Sequence, residues 1–188
     1  MIRALLRVPL VGVLLYVVYL NVQLYYRPKM QPVAGQQVNQ DLVQQLRYLK
    51  TRLHAGAAQE MQEVYPEGFV YLNALYALSW TELAAGVPAQ VPLYQEALQE
   101  ARWSIHAIDS NEGRAPFDAD LPLPYGAYYQ GWRAYTLGRY LAAQAPARRD
   151  TAEVRRFASL CAQLAQALNT SSTPYPESYM GRHGRLMG

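Results

Sequence analysis

The sequence predicts an all-α chain, and three observations predict it. Apolar residues recur at the three-and-four spacing of a one-faced helix in one segment after another. Prolines stand at the starts of several of these segments, where a missing N–H is tolerated. No alternating apolar–polar run of useful length, the pattern of a half-buried strand, is found anywhere. The elements expected are one N-terminal transmembrane helix and, after it, about five antiparallel helices stacked as hairpins. The chain divides into a membrane anchor at 1–29, a linker at 30–40, a helical domain at 41–170 and an irregular C-terminal tail at 171–188.

The first element is the apolar run at 4–24, ALLRVPLVGVLLYVVYLNVQL, whose dense part at 8–20 carries no charge. With its flanks it reaches the roughly 20 residues that a bilayer core requires, and membrane lipid is the partner expected for residues 4–26. Arg7 lies near the helix end, where its guanidinium can reach the headgroups. Tyr16, Tyr19, Tyr25 and Tyr26 supply aromatic rings toward the far interface, and Arg27 and Lys29 close the segment. A cleaved signal peptide shares the charged start and apolar middle, but no small-x-small site follows. A buried core helix is the third reading. The α-amino group, Arg3 and Arg7 outweigh Arg27 and Lys29 by about one charge, which keeps the N-terminus in the cytoplasm and exports the bulk.

Residues 30–40 (MQPVAGQQVNQ) are polar and Gln-rich with Pro and Gly, a composition expected of a short linker. The first helix of the domain is expected at 41–64, with Leu42, Leu46, Leu49 and Leu53 on one face. The second starts at Pro66-Glu67 and runs to about residue 85. It is apolar on nearly all sides, so it belongs at the centre. The third starts at Pro92 and presents Leu98, Ala101, Ile105 and Ile108. A long loop, 109–123, leads to the fourth at Pro124. The fifth follows Ala145-Pro146, with Asp150 and Glu153 in a capping-box pattern and Val154, Phe157, Leu160, Cys161, Leu164 and Leu168 as its stripe. Trp132, Leu137, Gly138 and Tyr140 echo a tetratricopeptide signature, but the spacing differs and no second copy lies 34 residues away.

Composition excludes several function classes. The net charge is +3, but four of the 17 basic residues flank the apolar run, and the remaining 13 stand against 14 acidic ones. That leaves no basic stripe for phosphate binding, so no nucleic-acid partner is expected. Cys161 is the one cysteine, which excludes an internal disulfide and a multi-Cys zinc site; its neighbours predict a buried, inert thiol. His54, His106 and His183 have no Glu or His at metal spacing and read as surface or capping residues. No serine elbow, phosphate loop or dinucleotide fingerprint is present, and no cofactor is expected.

Two segments are candidates for function. The loop holds Asp109, Glu112, Asp118 and Asp120, and Asp109, Asn111, Gly113 and Asp120 resemble part of a calcium loop with its glycine one position early; the alternative is a helix end, a turn and a proline-stiffened crossing. The fourth helix carries Tyr125, Tyr128, Tyr129, Trp132, Tyr135 and Tyr140. With Tyr71, Tyr76 and Trp80 these rings line a ligand groove or pack the core. Glu67, Glu82 and Glu177 act as acid or base only if a pocket gathers them.

Pro124-Tyr125-Gly126 leading into Tyr129 and Trp132, together with Tyr175-Pro-Glu-Ser-Tyr in the tail, resembles the early hairpins of six-hairpin α/α-toroid proteins, which include sugar-processing and terpenoid-modifying enzymes. Such toroids have about twelve helices, so the resemblance implies a partial or truncated copy. Two functions are therefore expected in turn. The first is a membrane-anchored, extracytoplasmic, non-enzymatic helical domain for partner or ligand binding, with Tyr125, Tyr129 and Trp132 as ligand-binding residues. The alternative is the N-terminal part of a toroid-type enzyme acting on a carbohydrate or apolar substrate, with Asp118, Asp120 and Glu177 as its acids.

Overall fold

The computed structural model describes residues 2–25 and 27–170, with side chains from residue 9 onward. Helices dominate, and the only strands among the described residues form one short antiparallel hairpin. Residues 171–188, with Glu177 and the Tyr175 segment, lie outside the described residues, as do Tyr26 and the side chains of Arg3 and Arg7.

Helix α1 spans Ile2–Leu24. Each of its described side chains, from residue 9 to the end, is exposed. The reading of this segment as a buried core helix is thereby corrected. Its polar Asn21 donates from Nδ2 to the Val17 carbonyl at 2.8 Å, so that amide is satisfied within the helix itself. Among the described residues no helix is long and apolar enough to cross a membrane. The described side chains of α1 begin at Pro9 and include Asn21 and Gln23, which leaves them short of the roughly 20 apolar residues that a bilayer core requires.

The segment expected as a linker is structured. Strands β1 (Met30–Val33) and β2 (Gln36–Asn39) pair antiparallel, Val33 opposite Gln36. Ala34 and Gly35 both take positive φ, 48° and 87°, as the two central residues of a type I′ hairpin turn do. The strand signal was hidden because the hairpin buries a single side chain, Val38, and three of its other positions are Gln. The hairpin is joined to the next helix by Gln40 N–H donating to the Lys29 carbonyl at 2.8 Å and Lys29 N–H to Asp41 Oδ2 at 2.8 Å.

The expected first helix is two. Helix α2 (Gln40–His54) is capped by Asn39, whose Oδ1 accepts from the Asp41 and Leu42 N–H groups. The chain then turns at Gly56, whose φ of 102° no helix tolerates, and resumes as α3 (Ala57–Val64). Helix α4 (Gly68–Ala85) is the central element expected, with Val70, Ala74 and Trp80 fully enclosed. It packs against α2, α3, α5 (Pro92–Ile108) and α7 (Gly126–Ala142). Inside the long loop Ser110 caps a single helical turn, α6 (Asn111–Arg114), by accepting from the Gly113 N–H. A 3-10 turn at Pro146–Arg148 precedes α8 (Thr151–Thr170).

Cross-helix partners give the directions. Asn73 meets Ser104 and Tyr76 meets Glu100, so α4 and α5 run antiparallel. Tyr94 reaches Ala143 and Tyr129 reaches Ile108, so α5 and α7 are antiparallel as well. It follows that α4 and α7 lie parallel, which Tyr71–Trp132 and Glu82–Arg139 bear out.

Helix α8 docks on α7 by one face only, with Leu160 as its buried residue. Cys161 is exposed, not buried as expected, because it sits one residue and about 100° round the helix from Leu160. Val154 and Leu168 are exposed for the same reason. Asp150 caps α8 by accepting from the Ala152 N–H, while Glu153 turns away from the cap to pair with Arg102 at 3.3 Å.

Candidate functional site

The three ring residues expected to bind a ligand share one cluster but differ in burial. Tyr129 is fully buried; its ring packs on Phe117 and Tyr125, and its hydroxyl donates to the Ile108 carbonyl at 2.9 Å. It is a core residue with no face left for a ligand, and Tyr76, Trp80 and Tyr140 are buried likewise. Tyr125 and Trp132 are partly exposed. Trp132 is the hub of a surface patch across α4 and α7, meeting Tyr71 edge-on at 5.9 Å, Tyr128 at 6.4 Å and Tyr135 at 6.4 Å. Edge-to-face rings at these spacings attract one another and leave polar rims outward. Leu75 adds an exposed aliphatic neighbour on the α4 side.

Of the carboxylates expected to carry chemistry, Asp118 and Asp120 share one turn and Glu177 lies outside the described residues. Asp118 Oδ1 accepts from the Asp120 N–H at 2.9 Å, a turn-forming bond, and the Asp118 carbonyl accepts from the Tyr125 N–H. Glu67 stands at the start of α4 and Glu82 near its end, about 22 Å apart along the axis. Asp109, read as one end of a calcium loop, instead holds α7 and α8 to α5: it accepts from Arg133 Nε at 2.6 Å and from the Arg156 guanidinium. Among the described residues no group of three or more His, Cys, Asp or Glu is placed to hold a metal ion.

The best-built polar centre was not found from the sequence. Glu100, on the third turn of α5, is buried yet ionised, and three donors converge on it. Lys50 Nζ lies 2.7 Å from one oxygen; His54 Nε2 at 3.0 Å and the Tyr76 hydroxyl at 2.9 Å share the other. Burial alone raises this carboxyl, but the bonds from Lys50, Tyr76 and His54 together outweigh it and hold the group below the usual carboxylate range. Burial and the bond to Glu100 push the Tyr76 phenol well above its ordinary value. His54 stacks on Trp103 with ring centroids 3.9 Å apart, and Tyr76 stands edge-on to the same indole at 6.4 Å. Lys50 and His54 share a face of α2 at the four-residue spacing, opposite Glu100 on α5. That spacing was the one trace in the sequence, and nothing local says which carboxylate it meets.

Below this centre Asn73 is buried and hydrogen-bonded, donating to the Phe69 carbonyl at 2.9 Å and accepting from Ser104 Oγ at 2.8 Å. The polar atoms at the α4–α5 contact therefore rigidify the bundle, and Lys50 and His54 both reach the surface. The chain matches no family model, no curated protein and no solved structure. The likeness to α/α-toroids thus stands on the quoted residues alone.

Proposed function

We propose that the chain is a membrane-attached helical binding domain without catalytic role, held by α1 in lipid and facing the extracytoplasmic side. The observation that carries this reading is α1 itself. Ten of its Leu and Val side chains, from Leu10 to Leu24, are exposed. Leaving that surface in water forgoes on the order of 15 kcal/mol, as much as the whole stability of a typical domain. Lipid supplies the missing contacts, and the Asn21 amide, satisfied inside the helix, enters it at reduced cost. Tyr16, Tyr19 and Tyr25 are exposed on the same helix and suit the interfacial zone.

The binding face in this reading is the α4–α7 patch of Tyr71, Leu75, Trp132 and Tyr135. It is rigid, because its rings brace one another, and it is amphipathic, because each tyrosine keeps a hydroxyl for the ligand or partner.

The experiment is fractionation of cells expressing the full chain. The protein stays with membranes through an alkaline carbonate wash and leaves them only with detergent. The double variant Leu14→Arg, Val18→Arg shifts it to the aqueous fraction, since each central arginine costs about 2.5–3.5 kcal/mol on insertion. Recovery of the unaltered chain in the aqueous fraction defeats the proposal.

A further inference from the structure

A cavity of about 460 Å³ lies beside the Glu100 centre, where the break between α2 and α3 opens the surface; this is the volume range of pockets for small organic ligands. Its apolar floor is Leu53, Ala58 and Phe69, all buried, and one wall is the stacked His54–Trp103 pair. Glu112 stands at the rim.

The polar chemistry of this cavity is that of an acceptor. An ionised Glu100 can only accept, so the His54–Glu100 bond places the ring hydrogen on Nε2. In the neutral ring Nδ1 is then a bare lone pair, and no described residue bonds it. Lys50 already balances the Glu100 charge, so the pair does not need a second cation. At the rim the hydroxyl of Ser110 holds the Glu112 carboxyl below its ordinary value, so this group is ionised at neutral pH. Among the described residues that line the cavity there is no Lys or Arg. A carboxylate or phosphate ligand would meet Glu112 with nothing to offset it.

We propose that this cavity binds a small ligand with an apolar body and a terminal ammonium group. The body lies on Leu53, Ala58 and Phe69. The ammonium donates to His54 Nδ1 and to the Glu112 carboxylate, beside the indole of Trp103. The Gly56 turn makes the site, because an unbroken α2 would carry its backbone on through residues 55–57. This assignment does not depend on membrane attachment, since the cavity belongs wholly to the bundle.

The test uses the full chain in neutral detergent, with benzylammonium as probe and the ring resonances of Trp103 and His54 as readout. Benzylammonium produces saturable shifts at both rings with a dissociation constant of about a millimolar or tighter. Benzyl alcohol, which has the shape without the charge, binds at least about ten-fold more weakly, and benzoate does not bind. Glu112→Gln, a change at an exposed position, weakens the ammonium about five-fold. His54→Phe keeps a ring on Trp103 but removes the acceptor, and weakens it about five- to ten-fold, read at Trp103. Equal binding of alcohol and ammonium, unaltered affinity in both variants, or no saturable shift with benzylammonium each overturns the proposal.

Discussion

Replacing Glu100 with alanine removes one carboxylate and strands three donors, of which the Tyr76 hydroxyl is the most deeply enclosed. The expected cost is about 3 kcal/mol, read as a lower denaturant midpoint with an unchanged slope. Its pH dependence has a definite sign. The folded carboxyl titrates below its ordinary value of 4.5, so its stabilisation is complete above that pH and is lost as pH falls through the lower folded value. The gap between the native chain and Glu100→Ala therefore narrows below about pH 4.5; a gap constant from pH 7 to pH 3 would contradict an ionised centre. A second residue-scale contrast concerns the aromatic helix. Tyr129→Ala, at a fully buried ring, costs about 4 kcal/mol, whereas Tyr135→Ala, on the surface, stays within about 0.5 kcal/mol in thermal or chemical unfolding. In the sequence these tyrosines look alike. A helix turns about 100° per residue, so Tyr128 and Tyr129 differ in environment although nothing in their identity differs.

At the scale of elements, the termini of helices follow local chemistry. Asn39→Ala removes the side chain that caps α2 and is expected to cost about 1 kcal/mol, with frayed exchange of the Asp41 and Leu42 amides as its local signature. Asp150 and Ser110 cap α8 and α6 by the same device, and Pro92 opens α5 where its missing N–H is harmless. The starts of α5 and α8 were readable because each is set by residues within three positions of it. The break at Gly56 and the hairpin at residues 30–39 were not. Leu46 and Leu53 keep their helical stripe up to the break, so periodicity runs on while the backbone turns. The hairpin exists because Val38 and Val33 lean on the helical core, a contact outside its own sequence window.

At the scale of the whole molecule, α4 packs against α2, α3, α5, α6 and α7, whereas every described side chain of α1 is exposed. Hydrogen exchange is therefore expected to be slowest in the middle of α4, around Ala74 to Trp80, and to be slow in α1 only when lipid or detergent is present. Fast exchange at the centre of α4 would mean that the bundle opens there, against its burial. The sequence by itself determined the helical class, the central position of α4, the starts of several helices and the apolar character of the first two dozen residues, since each depends on residue type and on spacing within a turn or two. Only the tertiary structure decided which rings face inward, that Lys50, His54 and Tyr76 share Glu100, and that Asp109 ties three helices together. Those partners are 24 to 50 residues apart in the chain. The angle at which each helix rotates to bury its stripe selects them, and that angle is fixed by the packing of all the helices at once.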